Sequence, residues 1–405
     1  MNQDFDIVVA GAGIVGAATA LALARDRWKV ALVEAGPAPE LPSSDAPLGI
    51  RVSTLNPAAI QLLRQLNIWP ALPENRLAWF DRMTVWEAER DLGLTFSAAD
   101  AHIDQLGCVV ENTLLAATLW QACERETTVF AGNAIEALEV TERHAALTLA
   151  DGRSMTAGLV VAADGSRSAL RELAGIEVDR HNYQQRGLVA TVAVEDHGNC
   201  AWQRFLPTGP LAFLPLPDAA ASIVWSVPDE QAELLLELDE PTFLARLSEA
   251  AQGCVGEITA VSQRSAFPLT RLHADSYVSR RLVLVGDAAH VVHPLAGQGA
   301  NLGLLDAAAL RDVLAGLSGP TANPAEPTAL RRYGRWRRSD NAIMVHALHQ
   351  IAGVYARDTP GWRGLRLLGA RAINQAGWLR GMLVQHASGF GGKVPTLVQS
   401  PSTPQ

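Results

Sequence analysis

FDIVVAGAGIVGAATALALARDRWKVALVE, residues 5–34, is the stretch that decides the fold class. Its first six residues are apolar and largely β-branched and stop at a glycine, which predicts a buried strand. The Ala/Leu-rich run 14–25 predicts a helix, and KVALVE, 29–34, a second buried strand. Strand, helix and strand in that order form a βαβ unit, which implies a parallel sheet. Between the first strand and the helix lies Gly11-x-Gly13-x-x-Gly16. Gly11 permits the tight turn, Gly13 lets backbone approach a pyrophosphate, and Gly16 lets the helix pack close to the strand. The free N–H groups and dipole at the helix start then hold phosphates. Glu34 follows Gly16 by 18 residues, where a carboxylate can accept a ribose hydroxyl. Together these features predict a dinucleotide site, without separating FAD from NAD.

Further strands of the same buried type are LVVAAD, 159–164, and RLVLVGD, 281–287. Asn56-Pro57 opens a helix over 56–67, and 112–126 reads as another. Residues 36–47 and 318–327 read as loops. Residues 79–105 and 183–270 carry Pro-broken β patterns such as LVATVAVE and LAFLPLP, which predict antiparallel strands in a second layer. A single helix is expected at 229–253. After residue 327 the chain reads as helical to about 385, and 386–405, rich in Gly, Ser and Pro, as frayed.

The 405 residues are 48% hydrophobic and 19% charged, a globular composition that rules out disorder and fibres. Four cysteines without a C-x-x-C pair argue against a disulfide framework or zinc ribbon and for a reducing compartment. A net charge of −9 argues against nucleic acid as a partner. The start of the chain lacks a signal peptide's basic region, and no apolar run reaches the ~18 residues of a spanning helix. Charge is uneven. From Arg331 onward there are 11 basic and 2 acidic residues, and the preceding 330 carry 22 basic and 40 acidic. The basic segment implies either an anionic partner or a face folded against the acidic body.

Two further strand ends carry chemistry. Asp164-Gly165 closes one strand, with Ser168 and Arg171 following. Gly286-Asp287 closes another, followed by Pro294, Gly297, Gln298, Gly299, Asn301 and a helix containing Asp306. These patterns resemble the FAD-dependent aromatic hydroxylases of the p-hydroxybenzoate hydroxylase class, over most of the chain and in the right order. RVSTL at 51–55, VVENTLL at 109–115, LAFLPLP at 211–217, SIVWSV at 222–227 and HPLAGQGANLGLLD at 293–306 are most similar to the ubiquinone-biosynthesis hydroxylases.

The resemblance implies an α/β fold with three parts. A discontinuous Rossmann-like FAD-binding domain with a parallel sheet would take 1–75, 106–180 and 275–350. A β-rich substrate domain would take 76–105 and 181–274, and a helical C-terminal segment with a frayed tail 351–405. It also implies roles. Asp287 would bind the ribityl chain, although capping a helix is a rival role for such a residue. The turn 297–299 would set N–H groups against the flavin's pyrimidine edge. Arg51 would lie near the phosphates, unless it is only a surface salt bridge, and Asn112 against the flavin chain. Asp164, Gly165 and Arg171 would serve both FAD and NAD(P)H. His290 and His293 lack a third convergent metal ligand, and His290 reads as part of the turn. No side-chain base is identifiable. Trp202 and Trp225 are candidates for the wall of an apolar pocket.

The implied reaction is NAD(P)H- and O₂-dependent hydroxylation of a polyprenylated, lipid-soluble phenol in ubiquinone biosynthesis. Two alternatives stay open: a hydroxylase of a small soluble aromatic acid, and a non-catalytic FAD-binding subunit of a biosynthetic complex. An open apolar channel would favour the prenyl reading, a closed polar cavity the acid. No P-loop, G-x-S-x-G, W-x-W-x-I-P or second G-x-G-x-x-G occurs. The expected location is cytoplasmic, with peripheral contact at the inner face of the membrane as one option. Residues 362–383 place Trp362, Leu365, Leu368, Ala372, Ala376, Leu379 and Leu383 on one helical face, and Arg363, Arg366, Arg371 and Asn374 towards the other. Such a helix suits a membrane surface, an oligomer or complex contact, or the protein's own core.

Overall fold

The structure is a computed structural model that describes residues 3–399 apart from 44, 89–92, 294–296, 318–321 and 356–359. The Phe5–Ala10 strand pairs in parallel with Val30–Val33 on one side and Ser154–Ala162 on the other. Thr128–Phe130 and Leu282–Leu284 extend the same parallel sheet outward. All four expected buried strands therefore lie side by side. The helix Ile14–Arg25 is buried from Gly16 to Leu23. It is sandwiched between the sheet and the helices Asn112–Glu126 and Gly299–Ala315, which accounts for its being apolar all round.

A second sheet of nine strands is built around the 17-residue strand Val178–Val194, paired antiparallel with Ala220–Pro228 and Ser265–Ala274. One face of this sheet is sealed by two helices, Asp229–Glu237 and Glu240–Ala251, over a separate apolar core. The single helix expected at 229–253 is broken at Leu238 and Asp239. Leu238 is extended (ψ 145°), and the Asp239 carboxylate caps the second helix by accepting from Thr242 N–H at 3.2 Å. A third, three-stranded sheet joins Val52–Leu55 and Ala78–Phe80 to Gly107–Glu111. Ala78–Phe80, expected in the substrate part, pairs with Gly107–Glu111, a strand expected in the FAD-binding part. Phe80 there helps form a small core with Val109 and Leu216.

The C-terminal part is helical as expected: Pro327–Tyr355, Pro360–Gln375 and Gly377–Gln385. Three expectations about it need correction. The amphipathic stretch 362–383 is two helices, because Ala376 leaves the helical region (φ −98°, ψ 80°). Arg366, expected on the polar outer face, is buried. It forms an ion pair with Glu87 and lies over the Tyr355 ring. Arg380 likewise reaches Asp100, so part of the basic tail is folded against the acidic body. The side chains of Trp362, Arg363, Leu365 and Arg371 lie outside the described residues.

Finally, 386–399 is not frayed. Ala387 C=O accepts from Asn56 Nδ2 at 2.9 Å, Thr396 is held by Asp312, and Val398 is fully buried in the core that contains Ile7. The apolar residues among the glycines and prolines supply the burial that composition alone concealed. Residues 400–405 lie outside the described residues.

Candidate cofactor and substrate site

The glycine turn has the shape its spacing implies. Gly11 is left-handed (φ +97°), and a side chain there would collide with the Ala163 carbonyl. A side chain at Gly16 would collide with the Gly11 carbonyl, whereas the space beyond Gly13 is open. The helix that starts at Ile14 has no side-chain cap, which leaves its first N–H groups free towards that space. Glu34 accepts from Ala12 N–H at 2.6 Å and Gly36 N–H at 2.9 Å, so the carboxylate stands at the mouth of the turn.

A cavity of about 790 Å³ lies between the nine-stranded sheet, the three-stranded sheet and the C-terminal helices. Arg51, Asn112, Asp287, Gly297, Gln298, Gly299 and Asn301 line one part of it. Asp287 opens into this space although protein surrounds it. Burial raises its pKa, while His290 and Arg51 pull the other way. Its carboxylate has no hydrogen-bond partner among the described residues, so its acceptors remain available for hydroxyl donors of the kind a ribityl chain carries. Arg51 is in no ion pair among the described residues; its guanidinium lies 5.7 Å from the Phe267 ring centroid.

Asn112 accepts from Ser53 Oγ at 2.7 Å. Asn301 accepts from Asn56 N–H at 3.0 Å and donates to Thr54 C=O at 2.8 Å, fixing the start of the helix Gly299–Ala315. Gly297 is left-handed (φ +60°) and pressed against Thr54. Pro294 lies outside the described residues.

Asp164, Gly165 and Arg171 are placed differently. None lines the cavity. Arg171 is buried, donating to Ala288 C=O at 3.0 Å and Ser166 C=O at 3.1 Å. It thus ties the turn after Asp164 to the turn after Gly286. Desolvation lowers its pKa. Asp164 accepts from Leu170 N–H at 3.2 Å, and Gly165 takes φ +82°.

Gly286 (φ +58°) donates its N–H to Asp306 at 3.0 Å. Asp306 also accepts from His290 Nε2 at 2.6 Å, Arg337 Nε at 2.7 Å and Asn341 Nδ2 at 3.0 Å. Despite full burial, His290 and Arg337 hold its pKa down to about 2. His290 therefore belongs to the turn's support.

Sequence reasoning missed this network. The Asp at position 306 was visible, but its partners lie up to 35 residues away on another helix. It also missed Gln203, Ser222 and Ser226, which line the cavity from the second sheet. The alternation in SIVWSV could have found the two serines: Ser222, Val224 and Ser226 face the cavity, while Ile223, Trp225 and Val227 enter the other core. Trp202 borders the cavity, but it lies opposite Phe213 and its ring packs edge-on against Trp86 in the other core; Trp225 does not line the cavity.

Residues 4–345 match the family model described as FAD binding domain. The chain is 37% identical to the 3-demethoxyubiquinol 3-hydroxylase of Escherichia coli, over 96% of this chain and 100% of that protein. It is 34% identical to the ubiquinone hydroxylase UbiL of Rhodospirillum rubrum, over 95% and 89%. The structure of p-nitrophenol 4-monooxygenase PnpA from Pseudomonas putida shares the fold (TM-score 0.77, 17% identity, 97% of this chain and 100% of that one). A glycine turn open to a pyrophosphate and an unpaired cavity carboxylate fit the FAD that this family binds. The chain is thus an FAD-dependent monooxygenase that belongs to the FAD-binding-domain family, among its ubiquinone-biosynthesis hydroxylases.

Proposed function

We propose that the protein hydroxylates the ring of a phenolic ubiquinone precursor with a long apolar tail, using NAD(P)H and O₂. FAD, when bound, supplies the oxygen-activating chemistry. In this reading Gly11, Gly13, Gly16 and Glu34 hold its adenosine and pyrophosphate side. Arg51, Asn112, Asp287 and the segment from Gly297 to Asn301 hold the ribityl and ring side, and Pro294 belongs to that same segment. Asp164, Gly165 and Arg171 brace the turn beneath. The cofactor unit is accordingly discontinuous, with the nine-stranded sheet roofing the substrate.

One observation carries the substrate class. Beyond its cofactor end the cavity is walled by Phe96, Phe205, Leu348, Tyr355, Ile373 and Val384. Ile351 and Leu383 line it too and are also exposed, marking its mouth. An apolar channel with a mouth suits a tail longer than the ring. A small acid is disfavoured: apart from His386, Arg51 is the sole basic side chain among the lining residues, and it sits at the cofactor end. The channel walls exclude water from the reacting ring.

The mouth also favours peripheral docking on a lipid surface. Leu368 (66% exposed), Trp378 (75%) and Met382 (52%) stand out from the same helices, in a segment whose charge is basic. No helix among the described residues is long and apolar enough to cross a membrane. Contact with a second copy or a partner protein is the competing use of this surface. Co-sedimentation with anionic liposomes should carry the protein down, and a Trp378→Ala/Met382→Ala variant should stay in the supernatant. Sedimentation of neither refutes docking.

The decisive experiment feeds prenylated phenols to the purified protein with NAD(P)H and labelled O₂. A hydroxylated product with label from O₂ is expected. Label from water, or turnover of soluble benzoates only, would overturn the proposal.

A further inference from the structure

Building on the proposed reading, we infer that Gln203, Ser222 and Ser226 recognise the neutral oxygen substituents of the substrate ring. These three are the polar side chains that the nine-stranded sheet turns into an otherwise apolar stretch of cavity wall. Ser222 and Ser226 are each 1% exposed and Gln203 is 6% exposed. Ser222 Oγ is buried without a hydrogen-bond partner, and neither Gln203 nor Ser226 holds a side-chain hydrogen bond among the described residues. Buried polar groups are normally paired, so three unpaired ones on one cavity face call for a ligand that pairs them.

The sheet register fixes their layout. Ser222 lies opposite Leu214, and Val224 opposite both Ala212 and Val189. Ala212 in turn lies opposite Gln203 on the next strand. Val224, Ala212 and Val189 thus make a low apolar floor, with a hydroxyl at either end of the Ser222–Ser226 row and an amide to one side. Four residues of strand separate the two serines by about 13 Å. Two hydrogen bonds of ~2.8 Å leave about 7 Å between them, room for one ring bearing oxygens on opposite edges.

Hydroxyls and an amide can each donate and accept. They therefore suit hydroxyl, methoxy or carbonyl oxygens, whereas a carboxylate would ask for a cation that this face lacks. The set thereby selects neutral oxygenated rings over aromatic acids.

The proposed flavin site opens into the same cavity, so perturbation of the flavin absorbance reads binding in the FAD-loaded protein without turnover. The probes are 2-methoxyphenol carrying a ten-carbon alkyl tail and decylbenzene, which has the tail but no oxygen. The wild type should bind the phenol more tightly. Ser222→Ala/Ser226→Ala should weaken phenol binding about twofold to tenfold per hydroxyl, Gln203→Leu likewise, with decylbenzene affinity unchanged or improved. Equal losses for both probes, or no change for either, would overturn the inference. Ser222→Cys/Ser226→Cys, which keeps a small side chain but weakens the donor, serves the same comparison if the alanine variant does not fold. A wild type that shows the phenol preference yet forms no hydroxylated product refutes the reaction proposed above and leaves the recognition set standing.

Discussion

Arg337 donates from Nε to Asp306 at 2.7 Å, with both side chains shut away from water. The pair joins the long helix Pro327–Tyr355 to the helix that follows the 297–299 turn, and Asp306 in the same stroke holds the N–H of Gly286. Removing one partner of a buried ion pair leaves the other charge stranded, which costs about 3–5 kcal/mol. Arg337→Leu should therefore lower the melting temperature strongly. Replacing both partners, Asp306→Leu with Arg337→Leu, should be less damaging than the sum of the single changes. Calorimetry of the four proteins in that cycle checks it.

Asp287→Ala should lower flavin occupancy, because hydroxyls on the ribityl chain lose a carboxylate worth about 1–3 kcal/mol. The yellow protein should release free FAD on denaturation. Absorbance of the purified variant and of its supernatant after unfolding measures both. Unchanged occupancy would assign Asp287 to the turn alone.

Acid should destabilise the protein in two stages. Burial lowers the pKa of His273 and of His293 to about 4, helped by Arg338 at the first and His349 at the second. A histidine pKa depressed on folding means that the unfolded chain takes up the proton first. Stability is then complete above about pH 6.5 and falls as pH drops towards 4, by up to about 3 kcal/mol for each fully buried ring. Asp306 acts at lower pH: with a folded pKa of about 2, its contribution is present above its ordinary value near 4 and is lost between there and 2. Urea unfolding at pH 7.5, 5.5 and 4.5 should give a falling midpoint, and His293→Gln a flatter fall.

Cys108 and Cys123 should resist alkylation in the native protein. Burial pushes both thiols up to about 12, so the reactive thiolate is scarce at neutral pH. Iodoacetamide should modify them only after denaturation, as peptide mass spectrometry would reveal.

The four expected strands of the parallel sheet were legible because each is a continuous apolar run closed by Gly, Asp or Glu. The motif glycines were legible for the same reason: the backbone itself demands them. Residues whose roles arise between distant segments were not. Arg171 reads like a cofactor ligand beside Asp164, but the fold brings the Ala288 carbonyl to it across 117 residues. Arg366 falls on the polar side of a helical wheel, and Glu87, 279 residues earlier, gives it a reason to be buried. The glycines of the C-terminal helices look like weaknesses in sequence. Gly381 has a purpose once the backbone of Asp100 is seen pressed against it.

The core that holds Ile7 is completed by Val398, and this has a consequence for how the chain is made. Ile7 must wait for Val398 to be synthesised before their shared core is closed. Contacts spanning nearly the whole chain are slow to form, and until they do the apolar strands at its centre are open to wrong partners. The nine-stranded sheet, with a core drawn from residues 86 to 258, has all its pieces earlier. It is thus the substrate roof, and not the cofactor cradle encoded first, that can settle while synthesis is still under way.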